Sequence, residues 1–104
     1  MTAVLHYDGP VAEGPDLDAL RRAIDDVDQQ ILTLVAERVR LVLAVGEYKR
    51  KHGLAVYDPE RERALLEKLC KAAPPSLDHD TVRRIFERLI DESRRIEQHH
   101  VSGR

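Results

Sequence analysis

Cysteine is nearly absent from this sequence: Cys70 is the only one, so no intrachain disulfide can form and the chain suits a reducing compartment. Tryptophan is missing altogether, and three tyrosines and one phenylalanine are the whole aromatic content. With only five glycines and five prolines besides, the chain is short of the turn formers and aromatic residues that the many strands and turns of a sandwich or barrel call for. No apolar run approaches the ~18 residues of a membrane span. The N-terminal "MTAVLHYDGPVAEGP" has neither the basic nor the apolar region of a secretory signal, so cytoplasmic residence is the expectation. Nor does one sign of charge dominate. Seventeen basic residues face 19 acidic ones, which argues against broad nucleic-acid or membrane-surface binding and still allows a local basic pocket. His6, His52, His79, His99 and His100 share no metal-ligand spacing on a helix face, so no metal site is expected. There is no Gly-rich phosphate loop and no nucleophile elbow. Cys70 has no histidine near it in sequence and is expected to pack inside a helix.

What the sequence does have is helical periodicity. In 104 residues, 42% hydrophobic and 35% charged, it encodes one small charge-rich domain. Leu17, Leu20, Ile24, Val27, Ile31, Leu34, Arg38, Leu41, Val45 and Tyr48 alternate spacings of three and four without a break. This is a heptad seam, apolar everywhere except at Arg38. Asp16 can cap its start, Gly53 fits its end, and Gly46 is a mild weakness within it. A second helix is predicted from Pro59 to Ala72, stopped by "APPS". A third begins near Asp78 or Asp80 and runs to about His99, with Val82, Ile85, Phe86, Leu89, Ile90 and Ile96 as its stripe. The expected class is all-α with three helices. Residues 1–15 read as a flexible N-terminal tail, 16–99 as the folded domain and 100–104 as a short C-terminal tail.

Length carries an argument of its own. A helix over residues 16–51 measures about 54 Å, whereas a globule of this size is roughly 35 Å across. The helix outgrows any monomer, and its seam needs a partner. A homodimer is expected.

Three groups of polar residues break the pattern. Arg38 puts a guanidinium in an apolar seam, which calls for a carboxylate or other anion unless it snorkels to the surface or forms a structural salt bridge. Lys49 follows eleven residues later on nearly the same face, roughly 16 Å along the axis, so the two side chains could converge on one small ligand. Arg21 lies roughly 26 Å from Arg38 on the same helix and could serve that ligand only from an antiparallel partner. By themselves Lys49 and Arg21 also read as ordinary solvated charges. Ser93 and Glu97, one turn apart, interrupt the third helix's stripe; either they are buried and paired or the helix end frays. Asp58, Arg61 and Glu62 open the second helix in "YDPERER", where Asp58 also suits a plain N-cap. Arg61 and Arg63 stand where the helix dipole is already positive, a placement that makes sense beside an anion. Convergent cations in apolar surroundings, with no nucleophile and no metal, suit a small dianion and catalysis by electrostatic positioning.

The stretch "LDALRRAIDDVDQQILTLVAERVRLVLAVGEYKRKHGLAVYDPERERALLEKL", followed by "IFERLIDES", resembles the all-helical class of chorismate mutases over about residues 17–97. The elements that carry the likeness are L-R-x-x-I-D-x-x-D, an E-R eleven residues before a lysine, D-x-E-R-E and the late D-E-S. The resemblance implies an intertwined homodimer with a site at each end. It implies conversion of chorismate to prephenate by a Claisen rearrangement, on the phenylalanine/tyrosine branch of aromatic amino-acid biosynthesis, with no cofactor and no covalent intermediate. It implies catalytic roles for Lys49, Glu97 and Arg38. Arg38 with Ser93 would hold the ring carboxylate, and Arg21 of the other subunit, helped by Lys49, the side-chain carboxylate. Lys49 and Glu97 would donate to the ether oxygen, Glu62 and the Asp58 region would fix the ring hydroxyl, and Arg61 would add positive field. Arg63 would stay solvated. Only a protonated Glu97 can donate, so activity is expected to fall as pH rises and Glu97→Gln to flatten that fall.

Two other readings compete. Isochorismate pyruvate lyase shares this fold, but that group tends to lose the acidic residues of D-x-E-R-E, and Asp58 and Glu62 are both present here. A non-catalytic helical dimer that regulates a shikimate-pathway enzyme has no need for Arg38 in a seam. Within 104 residues there is no room for a fused dehydratase or dehydrogenase, so feedback control is expected from this domain or a partner.

Overall fold

The structure is a computed structural model that describes residues 16–102, and all its regular elements are helices: α1 (Leu17–Lys51), α2 (Pro59–Ala72) and α3 (His79–Ser102). The all-α, three-helix expectation holds for the described residues; the tail expected over residues 1–15 lies outside them.

Each helix starts on an aspartate. Asp16 Oδ1 accepts the Ala19 N–H at 2.7 Å, Asp58 Oδ1 accepts that of Arg61 at 3.1 Å, and Asp78 Oδ1 accepts that of Thr81 at 2.7 Å. Each carboxylate thus satisfies an orphan donor and meets the positive end of the dipole. At Asp78 the Thr81 backbone N–H, with further hydrogen bonding to Thr81, pulls the carboxyl below its ordinary range. α1 ends with Lys49, Arg50 and Lys51 in its last turn, the favourable sign for a C-terminus. Gly53, at φ +65°, then takes the left-handed conformation that closes the helix, with Leu54 N–H bonding to Lys49 O at 2.8 Å. α3 runs three residues past His99, taking in residues that the sequence reading put in a C-terminal tail. Nothing in "HHVS" breaks a helix before Gly103.

The chain divides into two compact units, one ending at Glu37 and the other starting at Arg38. In the first, the described residues form the N-terminal part of α1, whose Leu17, Ile24, Ile31 and Leu34 are each more than half exposed. In the second, α2 and α3 pack together over Leu66, Cys70 and Val82. Cys70 is buried there, as expected, with its thiol 3.7 Å from the His79 carbonyl. Gly46 is buried in the part of α1 that belongs to this unit, at a position where glycine costs about 1 kcal/mol of helix propensity relative to alanine.

Candidate active site

Within the second unit a cavity of about 920 Å³ opens between the end of α1, the start of α2 and the latter half of α3. Val42, Val45, Leu65 and Ile90 supply apolar wall, and the polar residues that broke the sequence pattern line the rest. Of the predicted residues, Arg38, Lys49, Asp58, Arg61, Glu62, Ser93 and Glu97 all reach it. Arg21 is exposed in the first unit and is not among the residues that line it.

Arg38 is half-buried, and its Nη1 donates to Ser93 Oγ at 3.0 Å. Ser93 is only 5% exposed although it is polar and stands on a helix face, so the serine is built into the packing rather than left at a frayed end. A hydroxyl that accepts from a guanidinium has a cation beside it and no base, which suits anchoring and not nucleophilic attack. Lys49 Nζ donates to Val56 O at 3.3 Å, tying α1 to the loop before α2. Arg50 is neutralised by Glu47 at 2.9 Å. Among the described residues no ion pair joins Arg38, Lys49 or Arg61 to a carboxylate, although Asp58 and Glu97 line the same cavity.

On the α2 side, Asp58 has the N-cap role that its position also allowed, and it lines the cavity as well. Arg63 pairs with Glu60 and, at 3.7 Å, with Glu67 on the exposed face of α2, which bears out the expectation that it is solvated. Glu62 is not free to meet a ligand alone. It forms an ion pair with Arg94 of α3, whose guanidinium carbon also stands 5.2 Å from the centre of the Tyr57 ring. The hydrogen bond to Glu62 pushes the Arg94 guanidinium further up from its already high value. Arg94 and Tyr57 escaped the sequence reading. In "DESRRIE" two adjacent arginines look alike, and only the fold separates them: Arg94 meets Glu62 in the cavity, while Arg95 bonds Glu92 on the surface.

Glu97 faces α1 across the same space. Its carboxyl occupies the room where Gly46 has no side chain; a Cβ built there would stand 2.1 Å from Glu97 Oε2. No group of three or more His, Cys, Asp or Glu among the described residues could hold a metal ion. What the cavity offers is anchorage for anions and hydrogen bonds from side chains held on three helices.

Residues 20–98 match the family described as chorismate mutase type II. The chain belongs to that family. The chorismate mutase of Methanocaldococcus jannaschii is 34% identical over 88 residues, covering 82% of this chain and 87% of that protein. A 4-amino-4-deoxychorismate mutase of Streptomyces pristinaespiralis is 32% identical over 96 residues, 91% of this chain and 74% of that one. Among solved structures, form II of the chorismate mutase of Thermus thermophilus superposes with a TM-score of 0.76 at 35% identity, over 79% of this chain and 93% of that chain. The T-protein of Enterobacter agglomerans is 45% identical over 76 residues, 68% of this chain; the chain spans only about a fifth of the length of the T-proteins it matches.

Proposed function

We propose that this chain rearranges chorismate to prephenate as a homodimer in the cytoplasm, on the phenylalanine/tyrosine branch of aromatic amino-acid biosynthesis. The observation that carries the reading is the Arg38–Ser93 pair, at 3.0 Å, in one cavity with Lys49 and Glu97. Relatives named bifunctional chorismate mutase/prephenate dehydratase support the branch.

The rearrangement needs no acid, base or nucleophile to start it. It needs the enolpyruvyl arm held over the ring, and a response to the charge that grows on the ether oxygen as its C–O bond breaks. Arg38 and Ser93 hold the ring carboxylate. Arg21 of the partner subunit and Lys49 hold the carboxylate of the arm, so the two anionic ends are pinned and the reacting carbons brought together. Lys49 and protonated Glu97 donate to the ether oxygen. Asp58 and Glu62 accept from the ring hydroxyl, and Arg61 adds positive field at the mouth.

A homodimer is supported by the small core. Among the described residues Leu66, Cys70 and Val82 are the buried hydrophobic side chains, too few to hold a domain of this size, while much of the α1 seam stands exposed in the single chain. Among the described residues no helix is long and apolar enough to cross a membrane.

The likeness to a 4-amino-4-deoxychorismate mutase raises a second substrate, with an amino group where chorismate has its ring hydroxyl. Arg94 speaks for the hydroxyl: it already neutralises Glu62 and would repel an ammonium group there. The test is to incubate the purified protein with chorismate, isochorismate and 4-amino-4-deoxychorismate and to identify the products. Prephenate from chorismate is the expected result. Pyruvate from isochorismate would mean the lyase, turnover of the amino analogue alone would move the substrate class, and no product from a folded dimer would leave the non-catalytic reading.

A further inference from the structure

Gly46 lies well inside α1, and its backbone is not why it is glycine. Among the described residues Gly53 has the positive φ, whereas Gly46 is helical like its neighbours. Nor is it a surface position where any residue would serve, since it is buried. What it leaves open is the space where a Cβ would stand, 2.1 Å from Glu97 Oε2, 3.2 Å from Cδ and 3.6 Å from Cγ. The end of the Glu97 side chain therefore lies against the bare backbone of α1, closer than any other residue type at position 46 allows.

Lys49 is three residues further along α1, on the same face of the helix and in the same cavity. We infer that Gly46 is a positioning residue for the rearrangement: its missing side chain seats the Glu97 carboxyl on α1 one turn from Lys49, so that the two can address one oxygen atom together. This rests on the rearrangement reading above. The contact is made by the tip of a flexible side chain, so an alanine at 46 displaces the carboxyl and leaves the helices where they are. The required shift is about 1 Å, the difference between the built contact and the shortest separation that Cβ atoms tolerate. Misplacement on that scale can cost about a hundredfold in rate when a group must meet a transition state.

The experiment compares the wild-type protein, Gly46→Ala, Glu97→Ala and the double variant in kcat, KM and Tm. It also follows the side-chain carboxyl 13C resonance of Glu97, assigned by its loss in Glu97→Gln. Gly46→Ala is expected to lower kcat by roughly 10- to 100-fold with KM little changed, and to keep or raise Tm because alanine favours the helix. In the Glu97→Ala background it is expected to change kcat by less than about twofold, because the group it acts through is gone. Wild-type kcat in Gly46→Ala overturns the inference. So does a loss of equal size in both backgrounds, or a fall in Tm with kcat and KM changed together, since each assigns Gly46 a role other than seating Glu97. If the wild-type protein turns over none of the three substrates, the rearrangement reading has failed, and the Glu97 resonance decides the geometry alone. A displaced signal in Gly46→Ala supports the seating, and an unmoved one overturns it.

Discussion

Arg38 is the residue on which the enzyme and scaffold readings make opposite predictions. It is half-buried and bonded to Ser93, and among the described residues no carboxylate forms an ion pair with it. In a scaffold such a group is a burden, so Arg38→Leu should leave the protein as stable as before or more so. In the proposed enzyme the same change removes a charged anchor for the substrate, and kcat/KM should fall by roughly 10²- to 10³-fold while circular dichroism and Tm hold steady. Full activity in a folded Arg38→Leu protein would dismiss the assigned role. Glu97 makes a separate prediction, because a carboxylate cannot donate to an ether oxygen and a carboxylic acid can. Activity should decline as pH rises in the wild-type protein, and Glu97→Gln, which donates at any pH, should flatten the decline. An identical pH–kcat profile in both proteins would rule out the acid form as donor. Arg38, Ser93 and Glu97 were legible because each breaks an apolar period at a position that helix geometry buries. Arg94 was not, since a charged residue on a helix is normal until its partner is known. The Gly46–Glu97 contact was out of reach for the same reason: it joins two helices that lie far apart in the sequence.

At the scale of elements, capping aspartates explain why helix starts were readable and one helix end was not. Asp16, Asp58 and Asp78 each hold an N–H three residues on, a local interaction that needs no knowledge of the fold. The end of α3 has no such marker, because nothing before Gly103 forbids another turn and only packing decides where the helix stops. Asp78 allows a test with a defined sign. Its carboxyl is held below the ordinary carboxylate range in the folded protein by Thr81, chiefly through the backbone N–H. A depressed folded-state value means that the ionised cap stabilises the fold above the unfolded-state pKa, and that this contribution is lost as pH falls through the lower folded value. Asp78→Asn keeps a capping oxygen but cannot titrate. Its Tm should match that of the wild-type protein at neutral pH less the charge–dipole part, and should fall less as the solution is acidified below pH ~4. Asp78→Ala should lose several degrees of Tm at neutral pH, read by thermal melts. Parallel acid dependence in the wild-type and Asp78→Asn proteins would show that the cap is not the titrating group.

For the whole molecule the open matter is what covers the seam of α1. Leu34 is 67% exposed, and Leu17, Ile24 and Tyr48 are each close to 60%, whereas Leu66, Cys70 and Val82 are the buried hydrophobic side chains among the described residues. Surface of that kind is where a second copy binds, and a two-fold interface would bring the same stripe from both chains together. Sedimentation at micromolar concentration should therefore give a dimer, and Leu34→Asp should dissociate or unfold it. The stronger test joins the interface to the chemistry. If each site takes Arg38 from one subunit and Arg21 from the other, Arg21→Ala and Arg38→Leu are each inactive alone, yet they damage different halves of a shared site. A mixed dimer then holds one site with both arginines missing and one site intact. After subunit exchange at equal concentrations, half of the dimers are mixed and one of their two sites works, so the mixture should recover roughly a quarter of wild-type activity. Recovery near that level would require the two residues to meet across the interface. Failure to recover, with mixed dimers confirmed by mass spectrometry, would mean that Arg21 serves its own chain, and an active Arg21→Ala protein would mean that it serves no site.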